Sequence, residues 1–188
     1  MMYLEIILIC LIGTSLHFTY ELSCHNKIVA LFSAVNESTW EHIKIALSAS
    51  FVCTFVDGFL YGSLDNYFWA KFISLFLIIL IIPILFYSYT HFTKKAILPI
   101  DIISFYIAII VSQFTFYKIL AMPNYSFIYA YLGLIGIFII FGFYMIATLR
   151  PIHNFIFKDP ITNKYGIKGH SDENHHKNSW NELLDMIY

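Results

Sequence analysis

The stretch FWAKFISLFLIILIIPILFYSY, Phe68–Tyr89, decides the fold, because Lys71 is its only charged residue. A helix needs roughly 20 mostly apolar residues to cross about 30 Å of hydrocarbon. Backbone groups in lipid must satisfy their hydrogen bonds within the segment, so such a stretch is predicted to be helical. Four further stretches have a similar character: Leu4–Tyr20, Ile43–Tyr61, Ile100–Leu120 and Phe127–Leu149. The predicted fold class is an all-α polytopic bundle of about five transmembrane helices.

The composition agrees with this prediction. Apolar residues make up 59% of the 188-residue chain and charged residues only 12%, against about 25% charged residues in a typical soluble domain. A soluble domain of this size could not hide so much apolar surface from water, so the lipid bilayer is the expected partner. The net charge of −1 gives no attraction for nucleic acid. The three cysteines form no ligand-like spacing, and we expect no disulfide framework.

The bundle is predicted to occupy residues 1–150, with a polar tail over residues 151–188. The run Ile28–Val35 is too short to span a bilayer, so we expect an interfacial or re-entrant segment before the second span. Near the end of the tail, one helical face carries apolar side chains: Trp180, Leu183, Leu184 and Ile187. This pattern predicts a short amphipathic helix that lies on the membrane or docks on a membrane-protein partner.

Basic residues predict the orientation, because they are enriched in cytoplasmic loops. With the tail inside and five spans, the N-terminus lies outside, and nine of the eleven lysines and arginines fall on the inner side. Only Lys71 and Lys118 fall outside. The sequence therefore predicts an outer N-terminus and a cytoplasmic C-terminus.

This topology collects ionisable side chains at one membrane face. The first span ends there, the second and fourth begin there, and together they contribute His17, Glu21, Glu37, Glu41, His42 and Asp101. Ionisable groups at membrane depth are costly, so such a cluster is a candidate catalytic site. The mixture of imidazole and carboxylate suits acid–base chemistry or a divalent transition metal. We predict His17, Glu37 and His42 as metal ligands or acid–base groups, with Glu21, Glu41 and Asp101 orienting them.

Structural explanations compete with this site. Ser38 and Glu41 fit a capping box, in which each side chain binds the other residue's amide. Lys44 could extend its ammonium group to lipid headgroups, and Trp40 could anchor the helix at the membrane interface. His17 and Glu21 could form a pair that only stabilises the fold. Small residues recur in the second span (Ala46, Ser50, Thr54, Gly58, Gly62) and in the fifth (Ala130, Gly133, Gly136). This spacing predicts close helix packing.

Three segments resemble a known family: His17–Glu21, Val35–Lys44 and Asp159–Ile167. Together they look like the bacterial domain-of-unknown-function family numbered 6512, over about residues 1–167, with Val35–Lys44 as the specific part. That resemblance implies a small multi-pass membrane protein and no assigned activity. His17 and Glu21 alone are also similar to the His-x-x-x-Glu of sterol-isomerase-type membrane domains.

The residues leave three possible functions open. The first is a membrane-embedded enzyme or metal-binding protein with a lipid-like substrate. The second is a small proton-coupled transporter, against which stands the lack of an inverted repeat. The third is an accessory or scaffold subunit without catalysis. The absence of a recognised targeting sequence and the bacterial resemblance predict a location in the plasma membrane.

Overall fold

The computed structural model describes residues 1–123 and 125–169. Over these residues the chain forms five α-helices: α1 Met2–Leu22, α2 Thr39–Tyr61, α3 Tyr67–Thr93, α4 Leu98–Leu120 and α5 Phe127–Leu149. All five are long and apolar enough to cross a membrane. Pairing of extended backbone in the described part is limited to one isolated bridge, between Lys158 and Tyr165. The predicted all-α class is confirmed, and the helices indicate a multi-pass membrane protein.

The helices extend beyond the apolar stretches that predicted them. Helix α5 has the predicted bounds, whereas α2 begins one turn early, at Thr39, and α3 continues through Pro83 to Thr93. Apolar composition identifies the part of a helix that lies in hydrocarbon. Polar residues in the first turn of α2 are helical too, because they are enclosed by other parts of the protein.

Helix α2 is the most enclosed element. Helices α1, α2, α3 and α4 form a closed ring, in which each contacts the next and α4 contacts α1, while α5 packs on α3. In α2, 56% of the apolar window is buried, against 17–33% in the other four helices. Large apolar side chains of the other helices point outward, for example Phe138 of α5, which is 67% exposed. These outward side chains provide the surface for lipid.

Two glycines allow α5 to approach α3 closely. A Cβ atom on Gly133 would lie 2.4 Å from the backbone carbonyl carbon of Phe68, and one on Gly136 would lie 2.3 Å from the Phe72 ring. Distances this short leave no room for a methyl group. The prediction of close packing by the small residues of α5 is therefore confirmed.

The segment before α2 inserts between helices. We call residues 23–38 the re-entrant loop, and it contains one short 3₁₀ helix, Val29–Leu31. Three of its carbonyl oxygens accept hydrogen bonds from buried side chains of α2 and α5: Ala30 from Lys44 (3.0 Å), Leu31 from Tyr144 (2.7 Å) and Phe32 from Ser48 (3.0 Å). Irregular backbone at membrane depth is tolerated where the protein satisfies it. The helices of the protein therefore hold this segment, and its position in the membrane, interfacial or re-entrant, stays a prediction.

The first part of the tail lies against the same end of the bundle. The Phe157 ring stacks on Trp40 at 4.8 Å between centroids, and the carbonyl of Ile156 accepts from the amide of Trp40 at 2.9 Å. The amide nitrogen of the Asn36 side chain donates to the carbonyl of Gly166 at 2.9 Å. Trp40 is only 3% exposed, so its prediction as an interface anchor is wrong. The predicted helix at 180–187 lies outside the described residues.

Candidate functional site

Glu37 faces two imidazole rings at one end of the bundle, which we call the histidine end. Its Oε1 atom lies 3.5 Å from His17 Nε2, and its Oε2 atom lies 4.0 Å from His42 Nε2. The two imidazole centroids are 5.7 Å apart. The last turns of α1 supply His17, the re-entrant loop supplies Glu37, and the first turn of α2 supplies His42. The structure thus brings together the three residues predicted as the centre of the site, which we call the His–Glu–His cluster.

The cluster is partly accessible. The side chains of His17, Glu37 and His42 are 21%, 30% and 16% exposed. The Nδ1 atom of His42 lies 3.1 Å from the carbonyl oxygen of Ser38, which can only accept a hydrogen bond. This partner assigns the proton of neutral His42 to Nδ1 and leaves Nε2 as an acceptor directed at Glu37. The ring therefore has its basic nitrogen in the site.

Asp101 lies on the other side of His42. Its Oδ1 atom accepts a hydrogen bond from the Tyr89 hydroxyl at 2.5 Å, and that hydroxyl accepts from the amide of Ile97 at 3.0 Å. Asp101 and His42 line one small cleft, together with Thr39, Ile82, Phe86, Ser104 and Phe105. The carboxylate is held in place by Tyr89, which the sequence analysis did not select. The position of this tyrosine near the end of α3, opposite the start of α4, was the available signal.

Glu41 does not lie in the His–Glu–His cluster; its carboxylate binds groups that stabilise the fold. Its Oε2 atom lies 2.5 Å from Lys44 Nζ and accepts from the amide of Val35 at 2.9 Å. The predicted capping box is wrong, because the amide of Ser38 donates to Asn36 and the Ser38 hydroxyl is buried without a hydrogen-bond partner. The prediction that Lys44 reaches headgroups is also wrong, since its side chain is 1% exposed. Both residues support the re-entrant loop.

The remaining predicted residue, Glu21, is exposed near the C-terminal end of α1, one turn beyond His17. The metal site stays a prediction. Within residues 1–123 and 125–169, no group of three or more His, Cys, Asp or Glu side chains is arranged to hold a metal ion. Ligands of one tetrahedral zinc ion, at about 2.0–2.1 Å from it, lie roughly 3.4 Å apart. His17 and Glu37 approach that spacing, whereas His42 and Glu37 are wider.

An apolar groove opens beside the cluster. It lies between the last turns of α1 and the re-entrant loop, and is lined by Leu16, Thr19, Leu22, Ser23, Ile28, Val29 and Phe32. Its volume is about 770 Å³, including space open to the surroundings. Leu22 and Ile28 on its rim are 80% and 71% exposed. Leu16 directly precedes His17, so the groove and the cluster share the same turn of α1.

A second polar cluster lies at the opposite end of the bundle, which we call the Glu5 end. It joins Lys71 to Asp57 and the Tyr117 hydroxyl to Glu5, all inside the protein. The sequence analysis selected neither Glu5 nor Asp57, and it placed Lys71 outside as a topology marker. The available signal was depth: antiparallel α2 and α3 place Asp57 and Lys71 at similar distances from their connecting loop.

Comparisons with known proteins give a family and no activity. A family model described as "Family of unknown function (DUF6512)" matches residues 1–167. The match covers the bundle, the re-entrant loop, every predicted site residue and nearly all of the described tail. No curated protein and no solved structure matches this chain. Function must therefore be argued from geometry.

Proposed function

We propose that this chain, which belongs to the DUF6512 family of unknown function, is a membrane-embedded acid–base enzyme that acts on the polar group of a lipid-like molecule. One observation carries the proposal: the carboxylate of Glu37 faces Nε2 of both His17 and His42, at 3.5 and 4.0 Å. Such an arrangement suits the uptake and delivery of a proton, because imidazole and carboxylate groups are the side chains that most often serve as general acids and bases.

His42 is the proposed general base. Its Nδ1 proton is engaged by the Ser38 carbonyl at 3.1 Å, so Nε2 is the nitrogen that can take a proton. Glu37 then stabilises the imidazolium that forms. His17 supplies a second imidazole on the other side of the same carboxylate. Asp101, held by Tyr89 in the neighbouring cleft, supplies a further negative charge near His42.

The groove defines the proposed substrate class. A bilayer-embedded chain can lie along the apolar side chains of α1 and the re-entrant loop, since Leu22 and Ile28 are largely exposed. The space within the groove that water-sized molecules can occupy is about 470 Å³, which lies within the range of about 300–1,000 Å³ common for small-molecule sites. A polar headgroup attached to that chain would then lie beside His17. The reaction would then take place where the hydrocarbon meets water.

The test compares site variants in lipid. The purified protein is reconstituted into nanodiscs made from polar lipids of the expression host, and the lipids are followed over time by mass spectrometry. We expect the unaltered protein to convert at least one lipid species, and His42→Gln and Glu37→Gln to slow this conversion by about 100-fold or more, the usual loss when an acid–base group is removed. His91→Gln is the matched control, because His91 is exposed near the end of α3.

Two results would overturn the proposal. Unchanged conversion in both site variants would exclude the cluster from catalysis. Absence of any conversion, with a protein that co-purifies through the tail, would favour the accessory-subunit function. Elemental analysis separates the chemistry: a stoichiometric transition metal that is lost in His17→Gln would replace the acid–base relay with metal chemistry.

A further inference from the structure

Four helices each contribute one polar side chain to the interior at the Glu5 end. Glu5 comes from α1, Asp57 from α2, Lys71 from α3 and Tyr117 from α4, and we call them the Glu5 cluster. Lys71 Nζ donates to Asp57 Oδ2, and the Tyr117 hydroxyl donates to Glu5 Oε1. Glu5 is 5% exposed, Asp57 0% and Lys71 1%. The two carboxyl groups and the ammonium group are thus enclosed by the protein, while Tyr117 is half-buried.

Two carboxylate oxygens in this cluster have no hydrogen-bond donor. Glu5 Oε2 and Asp57 Oδ1 are both buried without a partner, although their other oxygens are bound by Tyr117 and Lys71. The Asp57 and Glu5 carboxyl groups are close enough to interact electrostatically. A single proton bound between two neighbouring carboxyl groups is donated by one and accepted by the other, which can satisfy both orphaned oxygens.

The charges of the cluster also require one bound proton. The charged groups that act on Glu5 are Asp57 and Lys71, so two carboxylates and one ammonium group would leave one uncompensated negative charge. An uncompensated charge inside an apolar bundle is strongly unfavourable. One bound proton makes the cluster neutral. The other titratable groups around the cluster come from α2 and α3: Cys53, Tyr61 and Tyr67.

We infer that Glu5 and Asp57 share one proton and form a proton-binding site at the end of the bundle opposite the histidines. Binding forms one O–H bond on either carboxyl group, and release returns that proton to water. The ammonium group of Lys71 lies 3.9 Å from the centroid of the Phe116 ring, so this cation stays in place next to Asp57. Loss of the proton leaves a repulsive carboxylate pair between α1 and α2, which links proton occupancy to the packing of these helices.

Infrared spectroscopy tests the shared proton directly. At pH 7 the reconstituted protein should show a protonated carboxyl C=O band that shifts to lower frequency in D₂O. Glu5→Gln and Asp57→Asn should each remove one such component, because the carboxylate that remains is neutralised by Lys71. The double variant should remove no more than either single variant. Asp65→Asn, at an exposed position in the α2–α3 loop, should leave the spectrum unchanged.

Stability against pH gives a second, independent measurement. A carboxyl group in water is ionised near neutral pH, so the folded protein binds one proton more than the unfolded chain. The unfolding equilibrium constant should therefore rise with pH above the range in which a carboxyl group in water titrates, by up to about tenfold for each pH unit. Glu5→Gln should still fold, because glutamine retains an acceptor for Tyr117, and it should lose this pH dependence.

The outcomes separate the alternatives. If neither carboxyl variant removes a protonated component, or the double variant removes two, the shared proton is ruled out. A stability that responds to Na⁺ concentration instead of pH would assign the orphaned oxygens to a cation. None of these results depends on lipid conversion at the histidine end.

Discussion

Lys44 and Glu41 form a charged pair that the surrounding apolar residues enclose almost completely. Burial of two ions is favourable only when their remaining hydrogen-bonding groups are also satisfied. Here Glu41 accepts from the amide of Val35 and Lys44 donates to the carbonyl of Ala30. The pair therefore satisfies backbone groups that the re-entrant loop would otherwise leave unpaired. The two residues together stabilise the re-entrant loop.

The first prediction concerns the removal of one charge from this pair. Lys44→Met should lower the free energy of unfolding by about 3–5 kcal/mol, because it leaves the Glu41 carboxylate buried without a counter-ion. The double variant Glu41→Gln/Lys44→Met should recover part of this loss, since the glutamine oxygen still accepts from Val35. Unfolding of the purified protein in mixed micelles by added SDS measures both values.

Lys27→Met provides the control, because Lys27 is exposed in the re-entrant loop and surface substitutions usually change stability by less than about 0.5 kcal/mol. Equal, small effects of Lys44→Met and Lys27→Met would mean that the Lys44 ammonium group is in contact with water or lipid headgroups, contrary to its position in the structure.

Helices α3 and α5 show how one missing side chain sets the distance between two elements. Lipid tails are as apolar as the side chains of these helices, so the hydrophobic effect does not hold them together. Close van der Waals contact does, and it requires Gly133 where the backbone of α3 passes at 2.4 Å from the position of a Cβ atom. The apolar side chains of α5 otherwise mostly face outward.

The second prediction follows from this contact. Gly133→Ala should lower the free energy of unfolding by about 1–3 kcal/mol, as is typical for overpacking, because its methyl group would meet backbone atoms of Phe68 and Trp69 that cannot rotate away. Thermal unfolding in detergent, followed by circular dichroism, measures the change.

Gly142→Ala in the same helix separates packing from helix propensity. A Cβ atom at Gly142 meets nothing within 4 Å, and alanine favours a helix over glycine by about 1 kcal/mol. This variant should be as stable as the unaltered protein or more stable. If Gly133→Ala behaves like Gly142→Ala, then α5 does not approach α3 as closely as the structure places it.

At the level of the whole molecule, the sequence predicted the features that follow from successive helices crossing a bilayer in alternating directions. Five apolar stretches imply that the end of α1, the start of α2 and the start of α4 share one face, and His17, His42 and Asp101 do lie at one end. The sequence did not predict contacts that depend on helix rotation or on an irregular loop. The pairing of Glu5 with Tyr117 and of Asp57 with Lys71 needs the rotation of the helices about their axes, and the placement of Glu37 needs the path of the re-entrant loop.

Helix packing also changes how the basic residues are counted. Lys44 and Lys71 are each buried with a carboxylate, so neither presents a positive charge to a membrane surface. Lys118 is then alone at the Glu5 end among the described lysines and arginines. The others lie at the histidine end: Lys27, Lys94, Lys95, Arg150, Lys158, Lys164 and Lys168. This asymmetry favours a cytoplasmic histidine end more strongly than the raw count does.

The third prediction tests this orientation with a native thiol. Cys24 is exposed at the histidine end, whereas Cys53 is buried, so a membrane-impermeant maleimide should label Cys24 in inverted membrane vesicles and not in intact spheroplasts of a bacterial expression host. The variant Cys24→Ser/Ser63→Cys moves the thiol to an exposed position in the α2–α3 loop and should show the opposite pattern. Labelling of Cys24 from outside would reverse the orientation: the His–Glu–His cluster would then face the outer surface, and the proposed substrate would have to come from the outer leaflet.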